Sequence, residues 1–276
     1  GPLTASTLVA RWFDEKRGRA LGIVAISAST GGMLVVPIMS LLIERHGWRW
    51  AVGSTGLVIA AVAALLALFA IRERPAGDGG HATAAAEERW TVGRLFATRD
   101  FWLLVLSVGL LLAVNQALLS SLVAYGSDRG FSAAQATALI TAVSASSIVG
   151  KIMIGLLADI VDKRLLLVVV AVLLDLFLGL LLLHPGFPVL IIGCLLAGAT
   201  IGGVSPIWAA LISSRFGVAS FGMVMGLTVQ LQMPLLLAAL RFIGGSYDRT
   251  GSYEQAFMIF ALIVPVALIA ALAIGR

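Results

Sequence analysis

Apolar residues come along this chain in long unbroken runs, and the polar residues collect between them. Eight runs are long enough to cross a hydrocarbon core of about 30 Å, which takes about 20 helical residues. They are Ala20 to Ile43, Ala51 to Ile71, Phe101 to Ala124, Ala133 to Ala158, Leu165 to Leu183, Phe187 to Ser213, Phe221 to Ile243 and Tyr253 to Ile274. Pro, Gly or charged residues mark every join. The runs are continuous, so they predict helices; strands of a membrane barrel would alternate apolar and polar positions. Ser132 with Gln135, and Ser252 with Gln255, have the spacing of a capping box at a helix start.

Composition sharpens this to an all-α integral membrane protein. Hydrophobic residues make up 60% and charged residues 12%, against about a quarter charged in a soluble domain. Lys and Arg then set the orientation, because positively charged loops stay cytoplasmic. One side of the spans carries Arg11, Lys16, Arg17, Arg19, Arg72, Arg74, Arg89, Arg94, Arg99, Lys163, Arg164, Arg215 and Arg276, the other only Arg45, Arg49, Arg129 and Arg249. The expected topology is a multi-pass protein of a cell (inner) membrane with its C-terminus in the cytoplasm. The net charge of +5 reflects that topology and implies no nucleic-acid partner. Tyr125, Tyr247 and Tyr253 all fall at expected outer ends, where amphipathic rings are favoured.

The segment between Ile71 and Phe101 is the one long polar stretch, with Pro75, Gly77, Gly79 and Gly80 stopping any helix early. Its later part interleaves Trp90, Val92, Leu95 and Phe96 with Arg89, Arg94 and Arg99, which predicts a short helix at the membrane surface. The expected domains are a partial N-terminal bundle over 1–71, a cytoplasmic linker over 72–100 and a six-helix bundle over 101–276. The opening GPLTASTLVARW reads as the last turns of a further apolar helix, so more chain is expected upstream. An echo between Arg11, Trp12, Phe13, Gly22 and Pro37 and Arg215, Phe216, Gly222 and Pro234 fits two related bundles.

Four segments carry a family resemblance. RWFDEKRGRALGI, followed by STGGMLVVP and RHGWRW, resembles the fourth-to-sixth helix region of the major facilitator superfamily. GKIMIGLLADIVDKR is similar to its loop between helices eight and nine, and GGSYDRTGSYEQAF to its approach to helix twelve. The resemblance implies the end of helix four, helices five and six, and a complete second bundle. It is nearest to the subgroup of monocarboxylate transporters and oxalate:formate antiporters. In the loop motif Gly155, Asp159, Lys163 and Arg164 match, while Ile160 stands for a basic residue and Asp162 for glycine. The fold implies that Asp159 meets the helix start beside Arg17 and Arg19, as an inner latch or as a static anchor.

Three charged side chains sit well inside spans: Lys151, Asp175 and Arg241. Burial at that depth costs about 2.5 to 3.5 kcal/mol on insertion scales, so each calls for a cavity or a partner. Lys151 precedes Gly155 by four, the position where the resembled subgroup carries a cation for carboxylate substrates; Arg241 lies on the helix of a second such cation. Snorkelling to an interface is the alternative for both. Asp175 is either a coupling carboxylate or a static partner of Lys151. Asn115, Gln116, Ser120, Ser121, Gln230 and Gln232 supply polar groups for a cavity, with interhelix hydrogen bonds expected for at least half of them. Gly198 with Gly202, and Gly222 with Gly226, form small-xxx-small faces.

These features predict a secondary transporter of a small organic anion, a monocarboxylate or dicarboxylate, that works by alternating access with a proton or a counter-substrate. The alternatives are an efflux transporter of drugs or metabolites, and a non-transporting sensor or assembly subunit. No HExxH, GxSxG or metal-spaced His/Cys cluster occurs, so neither an enzyme, a metal nor a cofactor is expected.

Overall fold

The computed structural model of the chain describes residues 45–69, 90–158, 160–217 and 219–275, together with positions 20, 23, 24, 38, 42 and 43. Its helices are α1 (Trp48–Phe69), α2 (Val92–Ala97), α3 (Arg99–Asp128), α4 (Ala133–Leu157), α5 (Lys163–Leu182), α6 (Phe187–Phe216), α7 (Phe221–Thr250) and α8 (Glu254–Ala273). Among the described residues seven of these are long and apolar enough to cross a membrane. The span expected over residues 20–43 lies almost wholly outside the described residues. Contacts divide the chain into two units, residues 27–87 and residues 1–26 with 88–276.

In the first unit α1 is apolar round its circumference, and almost every described side chain on it is exposed. That is the pattern of a helix long and apolar enough to cross a membrane. Gly47 precedes it at φ +79, and His46 stacks on Trp50 with ring centroids 4.6 Å apart.

In the second unit α3 to α8 form a six-helix bundle. The most extensive contact joins α4 to α6; α3 packs on α7, α8 and α4, and α5 packs on α6 and α8. Glycines explain the α4–α6 seam. A Cβ at Gly150 would fall on the carbonyl oxygen of Ala199, one at Gly198 on that of Val143, and one at Gly202 on that of Ser147. Without side chains there, the two backbones touch, and close packing replaces the hydrophobic drive that lipid cannot supply. Gly226 behaves differently from its expected role: nothing lies within 4 Å of the position a Cβ would take.

The long helices outrun the predicted spans. At 30 residues each, α3, α6 and α7 reach about 45 Å at 1.5 Å per residue, so their ends emerge from the hydrocarbon carrying polar residues. At the end where α3 begins, Asp100 lies 3.4 Å from the Arg215 guanidinium of α6 and accepts the backbone N–H of Gly275, beyond α8, at 3.1 Å. At the opposite end the Tyr125 hydroxyl donates to the Leu181 carbonyl at 2.8 Å and Arg129 to the His184 carbonyl at 2.7 Å. The His184 Nε2 stands 2.9 Å from the Glu254 carboxylate. All three tyrosines gather here, with Tyr247 stacked on Tyr253 at 4.5 Å and Tyr125 edge-on to Phe257 at 5.5 Å.

Caps agree with the sequence in one case and depart from it in the other. Ser132 and Gln135 close the reciprocal capping box that starts α4. Gln255 does not reach back to Ser252, because α8 begins at Glu254 and leaves it one position short; it accepts from Ser246 of α7 instead, at 3.3 Å. The departure at Asp162 also has a local reason: its carboxylate caps α5 by accepting the Arg164 N–H at 2.9 Å, a role in which aspartate is favoured and which glycine's missing side chain cannot fill.

Candidate functional site

Helix α4 is pinned on one side and open on the other. Val143, Ser147 and Gly150 face α6, whereas Thr137, Thr141 and Ser144 are exposed and fall on one stripe with half-buried Lys151. The spacing of four, three and seven residues keeps them within one face of a 3.6-residue helix. An open groove of about 710 Å³ runs beside the first half of that stripe, past Ala134, Thr137, Thr141 and Ala145. Lys151 lies six residues beyond Ala145, about 9 Å along the axis. The two threonine hydroxyls donate to carbonyls one turn back, so their oxygens keep lone pairs free to accept.

Helix α7 presents a second open face. Gln230, Pro234, Leu237, Arg241 and Gly244 are all exposed and recur at intervals of three or four. Pro234 lacks an N–H, so the Gln230 carbonyl four residues earlier loses its usual helical donor. Helix α3, which packs against both α4 and α7, adds exposed Gln116 and Ser120. Gln116, Gln230 and Arg241 are therefore exposed, and Lys151 is half-buried on the polar stripe of α4.

Other expected residues are placed differently. Asn115 and Gln232 turn into the packing of their helices, where Asn115 Oδ1 and Gln232 Nε2 are buried without hydrogen-bond partners. Ser120 and Ser121 donate to the Ala117 carbonyl of their own helix at 2.7 and 3.1 Å, the local bond that hydroxyls make in helices. Interhelix hydrogen bonds from this set are absent among the described residues. No ion pair joins Asp175 to Lys151. Helix α5 packs on α6 and α8, and Asp175 Oδ1 is buried with no hydrogen-bond partner. Gly155 is buried near the end of α4, and Lys163 and Arg164 open α5. Arg17, Arg19 and Asp159 lie outside the described residues, as does the contact expected between them.

The stripe of Thr137, Thr141 and Ser144 was not among the expected site residues, although its periodicity was there to find in an otherwise apolar helix. Among the described residues no group of His, Cys, Asp and Glu could hold a metal ion.

Comparison with known proteins assigns the family. Residues 2–235 match the Major Facilitator Superfamily. The chain belongs to that superfamily. Within it, rat monocarboxylate transporter 12 is 27% identical over 94% of this chain and 60% of its own length. The oxalate:formate antiporter of Oxalobacter formigenes is 30% identical over 45% of this chain and 29% of its own. The fujikurins efflux protein of Gibberella fujikuroi is 26% identical over 58% and 33%. The fold agrees: the superfamily member FucP, the E. coli fucose:proton symporter, superposes with a TM-score of 0.78 at 19% identity, covering 99% of this chain and 73% of that one. The chain thus spans about 60% of the length of the monocarboxylate transporter it matches.

Proposed function

We propose that the chain belongs to a secondary transporter that moves a small organic anion, a monocarboxylate or dicarboxylate, by alternating access. The observation that carries this reading is Lys151, a cation inside a span on the same open face as Thr137, Thr141 and Ser144. A lysine at that depth is costly unless a cavity, a protein partner or an anion meets it, and the threonine stripe is the polar path by which an anion would reach its level of the helix. Arg241, Gln116 and Gln230 supply further contacts. A proton or a counter-substrate provides the driving force. The Lys and Arg asymmetry supports a cell membrane location with the C-terminus in the cytoplasm, and the cytoplasmic gate is assigned to Arg17, Arg19, Gly155, Asp159, Lys163 and Arg164.

Uptake of labelled formate, oxalate and a longer monocarboxylate into proteoliposomes tests the proposal. Lys151→Gln is expected to lower uptake about tenfold, equivalent to about 1.4 kcal/mol of binding, with Lys151→Arg retaining most of it. Full uptake by Lys151→Gln would overturn the anion assignment. Similarity to an efflux protein favours a second reading, export of an uncharged metabolite. Under that reading neutralising Lys151 leaves transport intact and the apolar part of the α7 face, around Leu237, carries specificity.

A further inference from the structure

Helix α3 carries an exposed stripe with a covered middle. Trp102, Leu106, Gly109, Ala113, Gln116 and Ser120 recur at alternating intervals of four and three, which keeps them on one side of a helix. Trp102 and Leu106 are exposed towards one end and Gln116 and Ser120 towards the other, whereas Gly109 and Ala113 between them are buried. At 1.5 Å per residue, Leu106 and Gln116 stand about 15 Å apart along the axis. The face that presents Gln116 to the solute is thus two open stretches with a closed step between them.

Helix α7 makes that closure. A Cβ at Gly109 would stand 2.9 Å from Leu235 Cδ1, 3.0 Å from Gln232 Cγ and 3.7 Å from Gln232 Cβ, so both side chains rest directly on the glycine. Pro234 falls between them inside α7. It cannot donate to the Gln230 carbonyl, so α7 bends most readily where it crosses α3. Gln232 is only 7% exposed, and its Nε2 is buried with no hydrogen-bond partner among the described residues. A carboxamide left unpaired in packing costs stability that an apolar side chain of similar size would not. A donor kept in that state at a closed step is a donor whose acceptor is present only when the step opens.

We propose that the crossing of α7 over Gly109 is a gate in the solute path and that Gln232 reads what passes it. When α7 bends at Pro234, Gln232 and Leu235 lift from Gly109 and the two stretches of the α3 face join. The freed Gln232 amide N–H then donates to an oxygen of the passing solute. That this oxygen belongs to a carboxylate rests on the anion reading above; the gate itself does not.

Three measurements on the full chain in proteoliposomes test the gate and the amide separately. With no solute added, N-ethylmaleimide is expected to label Gln232→Cys many-fold faster than Cys194, which is buried in α6; equally slow labelling of the two would overturn the gate. In Gly109→Cys with Gln232→Cys the Cβ separation of 3.7 Å suits a disulfide. Oxidation is expected to stop uptake of labelled formate and reduction to restore it, and equal uptake in the two states, with the cross-link verified by mass, would also overturn the gate. Gln232→Leu keeps the bulk and removes the donor: a several-fold rise in the KM for formate is expected, at a melting temperature no lower than that of the unsubstituted chain. An unchanged KM would overturn the role of the amide. Uptake that survives both Lys151→Gln and Gln232→Leu but stops on oxidation would mean that the anion reading has failed and the gate stands.

Discussion

Helices α6 and α7 are the same length, each carries an internal proline, and each has a glycine pair or part of one at four-residue spacing, yet the bundle uses them in opposite ways. Half of the most apolar stretch of α6 is buried, against 17% of that of α7. On α6, Gly198 and Gly202 receive the backbone of α4; on α7, Gly226, Gly244 and Gly245 have open space where a side chain would go. A small-xxx-small pattern therefore states only that a close approach is allowed. Whether a partner comes depends on the facing helix, and α4 supplies Gly150 at the matching level. The closed seam is where the bundle holds its shape. The open face is free to carry polar side chains such as Gln230 and Arg241, which the seam has no room for.

The contrast can be broken most forcefully at the glycines. Gly202→Val must displace the Ser147 backbone and is expected to cost about 3 kcal/mol or more, read as a large fall in melting temperature in detergent. Gly226→Ala meets nothing and gains about 0.5 to 1 kcal/mol from helix propensity. Similar losses at both sites would mean that α7 is packed after all. Next in size, Arg241→Gln is expected to reduce uptake several-fold while leaving the melting temperature unchanged; a matched fall in stability would assign the arginine to structure. The smallest effect concerns α3 where it adjoins α7. Because Asn115 Oδ1 is buried without a partner, Asn115→Leu removes an unpaid desolvation cost and shifts stability by less than about 1 kcal/mol, upward in sign. A clear loss of stability would show that the amide is paired.

Seven of the eight expected spans, the helix type and the short helix ending the linker were legible because lipid makes a simple demand: long apolar runs with every backbone group bonded inside the helix. The tyrosine end and the Ser132 cap were legible for similarly local reasons. Facing directions were harder. Asn115 and Gln116 are adjacent letters and point to opposite environments, one buried and one exposed, and only the position of α7 and α8 against α3 decides which. The same holds for Gln230 and Gln232. Of the two readings of Asp175, a coupling carboxylate or a static partner of Lys151, the second drew on helices that follow one another in sequence, but α6 takes the place beside α4, an arrangement set by the glycine seam. Ser252 closes no box with Gln255: α8 starts one residue later than the spacing suggests, Ser252 Oγ accepts the Glu254 N–H at 3.2 Å, and Gln255 accepts from Ser246.

The unequal lengths of the helices have a consequence for the lipid itself. Helices α5 and α8, at 20 residues, reach about 30 Å, the thickness of an average hydrocarbon layer, whereas α3, α6 and α7 exceed it by about half. In a thicker membrane the long helices still reach water, while the short pair must draw the bilayer inward or stand more upright. Hydrophobic mismatch is thereby concentrated on one side of the bundle, where α5 packs against α8. Acyl-chain length then acts as a lateral tilt on the bundle, not as an even squeeze around it.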